Sequence, residues 1–216
     1  MSGTNRPIVR PVYPILFCFC GPTASGKSTI TESILNRAKH LRKSISTTTR
    51  SPRPGEVDGR DYYFVSTTEF EARRRANQFI ENAIYSGNQY GTERRNIEEA
   101  LRDHVDLIFN IEIEGVTALK NLYPGQVVTV FVFPPSFQEL EDRLNRRGAE
   151  TEEEMKLRID TAHHEVEVLS DAKFSDYFLV NNTLDHAIDR GLAIVEAERI
   201  AVRHIGADFF KQLQRS

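Results

Sequence analysis

The sequence predicts an α/β fold in which a parallel sheet is flanked by helices. Four runs have the length and composition of strands buried on both faces. Residues 15–20 are continuously apolar, and similar, largely apolar runs follow at residues 107–113, 127–133 and 177–180. Patterns typical of helices lie between these runs, and strands that alternate with helices usually form parallel sheets. A glycine-containing loop directly follows the first run, at the sheet edge where α/β proteins bind ligands.

Helix starts are marked by a hydroxyl residue followed three positions later by a glutamate. In this pattern the hydroxyl accepts from a free N–H group of the first turn, and the glutamate bonds back to the cap residue. We expect it at three places: Ser66 with Glu69, Ser136 with Glu139, and Thr151 with Glu154. The charged runs 73–75 and 152–154 lie in two of these helices, and we interpret both runs as solvated helix faces.

Residues 44–91 differ in pattern from the rest of the chain. Turn signals, among them Ser51-Pro-Arg-Pro-Gly55 and Asp58-Gly59, separate short aromatic or β-branched runs such as residues 62–65. This alternation is typical of short strands joined by tight turns. The sequence therefore predicts a small mixed or antiparallel lobe inserted into the parallel α/β core.

The bulk properties exclude several classes of protein. The chain has 216 residues, 39% of them hydrophobic, and a formal net charge of −3, whereas nucleic-acid-binding domains are usually strongly basic. The apolar runs are too short to span a bilayer, and residues 1–14 contain no apolar signal-peptide segment. We expect a cytoplasmic protein that binds neither nucleic acid nor membrane, as a monomer or a homo-oligomer.

The two cysteines, Cys18 and Cys20, lie in the first apolar run. A Cys-x-Cys pair alone supplies too few ligands for a zinc site. Because alternate residues of a strand point to the same face, we expect both thiols to be buried packing groups. Free cysteines of this kind are consistent with a reducing compartment.

The loop after the first run matches the phosphate-binding pattern G-x-x-x-x-G-K-[ST]. Its glycines let the backbone curl so that successive N–H groups point at phosphate oxygens, and the next helix presents its positive N-terminal end. We expect Lys27 to reach the β- and γ-phosphates, Ser28 to ligate Mg²⁺, and Thr29 to contact the α-phosphate. The predicted triphosphate-binding residues are Gly21, Pro22, Thr23, Ala24, Ser25, Gly26, Lys27, Ser28 and Thr29.

The phosphate loop predicts a P-loop NTPase-type fold, which GTPases, ATPases and kinases share. Further blocks choose among them. The stretch Ser44-Ile-Ser46-Thr-Thr-Thr-Arg50-Ser-Pro-Arg53-Pro-Gly-Glu-Val-Asp-Gly-Arg-Asp-Tyr62-Tyr-Phe-Val resembles the S-x-T-T-R-x-P-R-x-G-E-x-x-G-x-D-Y-x-F-V signature of guanylate kinases. Three later blocks also resemble that family: Phe79-Ile-Glu81, Gly87-Asn-Gln-Tyr90-Gly-Thr92, and Phe133-Pro-Pro-Ser136 with Arg143-Leu-Asn-Arg-Arg147-Gly148. The resemblance, which runs from about residue 16 to residue 188, implies transfer of the γ-phosphate of ATP to GMP, and to dGMP, with Mg²⁺.

The acceptor phosphate has candidate ligands in the first of these blocks. Two arginines on a proline-stiffened turn, Arg50 and Arg53, can grip a phosphate dianion bidentately. The resemblance assigns hydroxyl contacts with the same phosphate to Tyr62 and Tyr90. The alternatives are surface charge for the arginines and packing for the tyrosines.

The guanine base has candidate ligands in the later blocks. One carboxylate, Glu81, can accept both the N1–H and the N2–H of guanine, and Ser46 can donate to O6. Thr92 can add a contact with the base, and Glu112 is a further candidate for binding the substrate. Adenine would leave these groups badly paired, which is how a hydrogen-bonding site rejects the wrong base.

The resemblance implies a helical lid whose arginines close over the triphosphate. By position these are Arg147 and Arg158, which would stabilise charge on the moving phosphoryl group. With Lys27 and Arg50 they form the expected catalytic set. We interpret Arg143 and Arg146, in the same stretch, as ordinary helix-surface arginines. Asn181 aligns with an asparagine of the family that contacts adenine. The alternative interpretation is that Asn181 is an ordinary polar turn residue at the end of a strand.

The run at 107–115 departs from the family pattern. The family usually has an acidic residue at Asn110, aspartate at Glu112 and glutamine at Glu114. We expect these side chains at the carboxyl edge of the strand, where ligands bind. Asn110 lacks the negative charge of an acidic residue, and the carboxylate of Glu112 lies one methylene farther from the backbone than that of an aspartate. Both changes bear on Mg²⁺ and guanine binding.

The expected guanylate-kinase-like domain covers residues 12–205. Its core is 12–43 and 94–205, its GMP-binding lobe is 44–93, its lid is 143–160, and residues 1–11 and 206–216 are terminal extensions. One rival is an inactive scaffold domain, but such domains typically lose the loop lysine or the lid arginines. Another is a kinase of the same fold for a ribose phosphate, which would not need Ser46, Glu81 and Thr92 together.

Overall fold

A computed structural model describes residues 12–85, 87–147 and 151–214. Its strands are β1 (Leu16–Cys20), β2 (Leu41–Lys43), β3 (Thr47–Thr48), β4 (Tyr63–Phe64), β5 (Phe79–Tyr85), β6 (Asn88–Glu93), β7 (Asp106–Asn110), β8 (Val127–Phe133) and β9 (Tyr177–Val180). Its helices are α1 (Lys27–Arg37), α2 (Thr67–Arg75), α3 (Arg94–Asp103), α4 (Ile113–Leu122), α5 (Phe137–Arg147), α6 (Glu152–Leu169), α7 (Leu184–Arg199) and α8 (Ala207–Leu213), with a 3₁₀ helix at Val202–His204. Among these described helices, none is long and apolar enough to cross a membrane.

The main sheet has five strands in the order β2-β7-β1-β8-β9, and all its neighbouring strands are parallel. This confirms the predicted α/β fold. Strand β1 lies in the centre, paired with β7 on one side and β8 on the other. Its carboxyl end is therefore a topological switch point, where a crevice opens in α/β sheets.

Both faces of the main sheet are covered by apolar side chains. Leu16, Cys18 and Cys20 belong to the core on one face, whereas Phe17 and Phe19 belong to the core on the other. This alternation follows from the two-residue period of a strand. Both cysteines are free and buried, as predicted. Helices α4, α5 and α6 contribute to the first core, and α1 and α7 contribute to the second.

A second sheet of four strands, in the order β4-β3-β6-β5, lies in sequence between β2 and α3. Strand β3 is parallel to β4 and antiparallel to β6, which is antiparallel to β5. The sheet is thus mixed, as the turn-rich pattern predicts.

The run 107–113 is not one strand, contrary to the prediction. Strand β7 ends at Asn110, Glu112 precedes the first residue of α4, and Ile113 is already helical. Ile111 is buried and Ile113 packs against the first core. A helix start that is buried in this way is as apolar as a buried strand, so the pattern alone could not separate the two.

The three predicted helix starts are all capped. The Ser66 and Ser136 hydroxyls accept from the backbone N–H of Glu69 and of Glu139, both at 3.1 Å. Thr151 and Glu154 form a reciprocal capping box. The run 152–154 is exposed, as predicted.

The two leucines of α4 provide a matched test of the core. Leu119 is 0% exposed and Leu122 is 46% exposed. Leu119→Ala is expected to lower the free energy of unfolding by about 2–5 kcal/mol, because it removes buried methyl groups and leaves a cavity. Leu122→Ala is expected to cost less than about 1 kcal/mol. Urea unfolding measures both, and equal losses would contradict this packing.

Candidate active site

The phosphate loop connects β1 to α1 at the switch point of the main sheet. Its backbone has left-handed φ angles at Gly21 (130°), Ala24 (67°) and Gly26 (96°). A Cβ atom on Gly21 would lie 2.2 Å from the carbonyl oxygen of Val132, and one on Gly26 would lie 2.2 Å from Nδ2 of Asn181. Both positions therefore require glycine for conformation and for space.

Lys27 is the first residue of α1 and is buried inside the loop. Its ammonium donates to the carbonyl oxygen of Gly21 and, at 3.1 Å, to that of Pro22. Ser28 and Thr29 are exposed at the same helix end. The loop thus presents a cation, two hydroxyl groups and a helix N-terminus toward one crevice, which is an arrangement that binds phosphates.

Asn181 follows β9 and supports the phosphate loop. It is buried, and its Nδ2 donates to the carbonyl oxygen of Ser25 at 2.8 Å. The sequence suggested either a contact with adenine or a polar strand end. The structure describes a contact with the loop backbone, across 156 positions of sequence, and the contact with adenine stays a prediction.

Arg143 is not an ordinary surface arginine, contrary to the prediction. Its Nη2 donates to the backbone carbonyl oxygen of Asn181 at 2.9 Å, and its Nη1 lies 3.5 Å from the backbone carbonyl oxygen of Ser25. Its Nε pairs with the Glu139 carboxylate at 2.7 Å. Arg146 is 67% exposed and pairs with Glu139 at 3.1 Å. The sequence could have indicated this role, because Arg143 lies between Leu140 and Leu144, which are on the buried face of the helix.

The two predicted lid arginines differ in what the structure describes. Arg158, on α6, donates from Nη1 to the Thr23 hydroxyl of the phosphate loop at 3.2 Å. Arg147 is the last residue of α5, and its side chain lies outside the described part of the chain.

Ser28 and Asn110 meet beside the loop. Asn110 ends β7, and its Nδ2 lies 2.8 Å from the Ser28 hydroxyl oxygen. Turning the amide over would present its carbonyl oxygen to the same hydroxyl. Mg²⁺ prefers oxygen ligands, so the exposed Ser28 hydroxyl fits the ion and Asn110 can orient it.

Arg50 is held by a carboxylate that the sequence analysis did not single out. Its two terminal nitrogens pair with both oxygens of Glu56, at 2.9 and 3.0 Å, and the backbone N–H of Arg53 donates to Glu56 at 2.7 Å. Hydrogen bonding to Arg50 lowers the pKa of Glu56, and the same pair raises the pKa of Arg50. The sequence could have indicated this partner, because Glu56 is the glutamate of the P-R-x-G-E block that also contains Arg53. The Arg53 side chain itself is exposed.

Tyr62 and Tyr90 lie next to Arg50, as the acceptor-phosphate prediction requires. Their ring centroids are 6.0 Å apart at a near-perpendicular angle, and the Arg50 guanidinium carbon is 5.4 Å from the Tyr62 ring centroid. Arg50 also shares a hydrogen bond with the Tyr90 hydroxyl. One guanidinium and two phenols therefore converge on a common corner of the second sheet.

Ser46, Glu81 and Thr92 belong to the same lobe. Glu81 is on β5, Thr92 is its partner on β6, and Ser46 precedes β3. The Thr92 hydroxyl donates to Oε1 of Glu81 at 2.6 Å. Burial raises the pKa of Glu81, the bonds from Thr92 oppose the rise, and the nearby charges of Glu114 and Glu112 add to it. Glu112 itself is exposed at the start of α4.

Glu93 joins the lobe to the core and was also missed by the sequence analysis. It is 3% exposed, accepts from the Thr47 hydroxyl, and pairs with Arg73 and Arg95, both at 2.5 Å. Arg73 is thus an exception to the solvated face predicted for residues 73–75. A buried carboxylate is stable only when it is paired in this way.

Comparisons with known proteins agree with this geometry. A family model described as guanylate kinase matches residues 14–198. The guanylate kinase of Desulfitobacterium hafniense is 39% identical over 191 residues, which cover 88% of this chain and 94% of that protein. That of Rhizobium meliloti is 40% identical over 198 residues, covering 92% and 89%. A crystal structure of guanylate kinase from Anaplasma phagocytophilum has a TM-score of 0.72 at 28% identity, covering 93% of this chain and 94% of that one.

The contrast between Arg143 and Arg146 gives a test of the donor side. Arg143→Ala is expected to weaken ATP binding by about 10-fold or more, because a charged donor to the loop backbone is lost. Arg146→Ala, one turn away and mostly exposed, is expected to change it by less than about twofold. Calorimetric titration with ATP measures both affinities. Equal effects of the two variants would contradict the role given to Arg143.

Proposed function

We propose, because the chain belongs to the guanylate kinase family, that it transfers the γ-phosphate of ATP to GMP, giving ADP and GDP. The observation that carries the proposal is the pairing of two sites. A phosphate loop with a buried Lys27 lies at the switch point of the main sheet, and a lobe with Glu81 bonded by Thr92 supplies a guanine-matched carboxylate. In this proposal residues 12–43 and 94–205 form the core, 44–93 the GMP lobe and 143–160 the lid.

The donor half would act by position and charge. In this proposal the loop N–H groups and Lys27 hold the β- and γ-phosphates, and Arg147 and Arg158 add positive charge as the lid closes. Phosphoryl transfer spreads negative charge over the moving group, so fixed and arriving cations stabilise its transition state. The phosphate oxygen of GMP is already a nucleophile, and no residue needs to act as a base.

The acceptor half would orient GMP for in-line attack. Arg50, Arg53, Tyr62 and Tyr90 are proposed to bind its phosphate. Glu81 would accept the two N–H groups of guanine, with Ser46, Thr92 and Glu112 as further contacts. These contacts go to the base and the phosphate rather than to the 2′-hydroxyl, so dGMP is proposed as a second acceptor.

The proposal includes Mg²⁺ with the Ser28 hydroxyl as its protein ligand. The ion, when bound, neutralises charge shared by the β- and γ-phosphates and so assists their separation. The Ser28 oxygen is exposed at the start of α1 and has Asn110 at 2.8 Å to orient it. We also propose a cytoplasmic location, on the strength of two buried free thiols.

A coupled assay of GMP-dependent ADP release tests the reaction directly. Lys27→Ala is expected to lower kcat by about 10²–10³-fold, because the positive charge of the lysine no longer stabilises the transferred phosphoryl group. Arg53→Ala is expected chiefly to raise KM for GMP. Arg60→Ala, which removes an exposed arginine of the same lobe paired with Asp61, serves as the control and should leave both constants within about twofold. Absence of GMP-dependent ADP release would overturn the proposal.

A substrate panel separates the proposed reaction from its rivals. GMP and dGMP are expected to be phosphorylated, whereas AMP and ribose phosphates are expected to be poor acceptors, because they lack the donors that Glu81 accepts. A scaffold domain would bind no ATP in calorimetry. Preference for a ribose phosphate would instead identify a kinase of the same fold with another acceptor.

Asn110→Asp tests the departure at the end of β7. A carboxylate in place of the amide adds a negative charge beside the Ser28 hydroxyl, which lies 2.8 Å from the Asn110 amide nitrogen. Mg²⁺ should therefore bind the ATP complex more tightly by about 3–10-fold, equivalent to roughly 1 kcal/mol. Calorimetric titration of Mg²⁺ into the ATP complex gives this affinity without relying on turnover. An unchanged or weaker affinity would show that position 110 does not limit the metal site.

A further inference from the structure

Helix α6 reaches the active site with two side chains on one face. Arg158 contacts Thr23 of the phosphate loop. Glu165 follows Arg158 by seven residues, which is two helical turns, so the two side chains lie on the same side of the helix. Glu165 is 6% exposed, although glutamate is almost never buried without a partner. The reaction proposed above gives this carboxyl group no task.

The Glu165 carboxyl lies among groups that line the switch point. It is within hydrogen-bonding reach of the Glu112 carboxyl, and Lys27 and Glu114 are the other charges that act on it. The charge of Glu165 also acts on Cys20, at the end of β1. No N–H or O–H group of the described residues donates to its Oε2 atom. Two carboxyls can hydrogen-bond each other only when one of them holds a proton.

Glu112 in turn lies close to the guanine pocket. It immediately precedes α4, and the first turn of that helix packs against Glu81: a Cβ atom on Gly115 would lie 3.3 Å from Cγ of Glu81. The charge of Glu112 also raises the pKa of Glu81. Glu112 is exposed, so its carboxyl has no packing to fix its direction, and a hydrogen bond from Glu165 would supply that constraint.

We propose that Glu165 is a positioning residue whose protonated carboxyl donates to Glu112 and holds the Glu112 carboxylate at the edge of the guanine pocket. The inference rests on the proposed function. One helix then serves both halves of the site, with Arg158 on the donor loop and Glu165 behind the acceptor carboxylate.

The electrostatics of the pair define the pH range in which this contact exists. Burial, with the charges of Glu112 and Glu114, raises the pKa of Glu165 to about 8, although Lys27 opposes the rise. Burial likewise raises the pKa of Cys20 to about 12, so that thiol stays neutral and does not exchange charge with the pair. Below about pH 8 Glu165 holds the proton that it donates to Glu112, and above about pH 8 Glu165 ionises and its negative charge repels the neighbouring carboxylate.

The test is the pH dependence of kcat/KM for GMP between pH 6.5 and 9.5. The wild type is expected to lose about tenfold at pH 9 relative to its plateau, because one pH unit above the pKa leaves about a tenth of the proton in place. Glu165→Gln keeps an N–H donor at every pH. Its kcat/KM for GMP should therefore fall by less than about twofold at pH 9, once the loss caused by ionisation of guanine itself, which all variants share, has been corrected for. Glu165→Leu has no donor and should be impaired at all pH values.

Glu167→Gln is the matched control, since it removes an 81% exposed carboxyl from the same helix and should follow the wild-type profile. A wild-type profile that is flat to pH 9, or one that Glu165→Gln shares, would overturn the inference. If no variant and no wild type releases ADP with GMP at any pH, the proposed function fails instead.

Thermal unfolding then still tests the shared proton. A native pKa above the unfolded value means that the native state holds the extra proton, so stability falls as pH rises from about 4.5 to 8. The Tm of Glu165→Gln should rise relative to the wild type across that window, and a constant difference in Tm would contradict the shared proton.

Discussion

The pairing of β1 between β7 and β8 is the constraint on which the rest of the site depends. It fixes the carboxyl end of β1 at the switch point, and the loop that leaves this end must pass under the carbonyl of Val132. Only glycine at position 21 fits that passage. The curled loop then brings the N-terminus of α1 and Lys27 to one crevice, so sheet topology rather than any single side chain builds the phosphate site.

Two carboxylates, Glu56 and Glu93, hold Arg50 and the framework of the second sheet in place. Glu56 binds both terminal nitrogens of Arg50 and the backbone of the turn that carries Arg53. Glu93 links the lobe to the core, since it accepts from Thr47 of β3 and pairs with Arg73 of α2 and Arg95 of α3. Long arginine side chains lose much conformational entropy on binding. Pairing them beforehand reduces that cost when a phosphate arrives.

The sequence predicted what depends on local pattern and missed what depends on distant partners. The buried strands, the helix caps and the phosphate loop follow from neighbouring residues, and the structure has them. The roles of Arg143 and Asn181 depend on contacts with Ser25 that span 118 and 156 positions. Arg143 and Arg146 have the same chemistry, and they differ in their position relative to the buried face of α5, which carries Leu140 and Leu144. The boundary at Asn110 was missed because buried helix starts and buried strands have similar composition.

The departures at 110–114 share one physical theme, which is where negative charge lies along the chain. Asn110 removes charge beside Ser28, while Glu112 and Glu114 place it near Glu81. Three carboxylates near the proposed guanine pocket would repel one another unless a proton or a cation reduces their charge. Glu165, buried behind Glu112, can hold such a proton, and Lys27 lies close enough to offset part of the remaining charge. The unusual strand end and the buried glutamate of α6 are therefore two parts of one electrostatic arrangement.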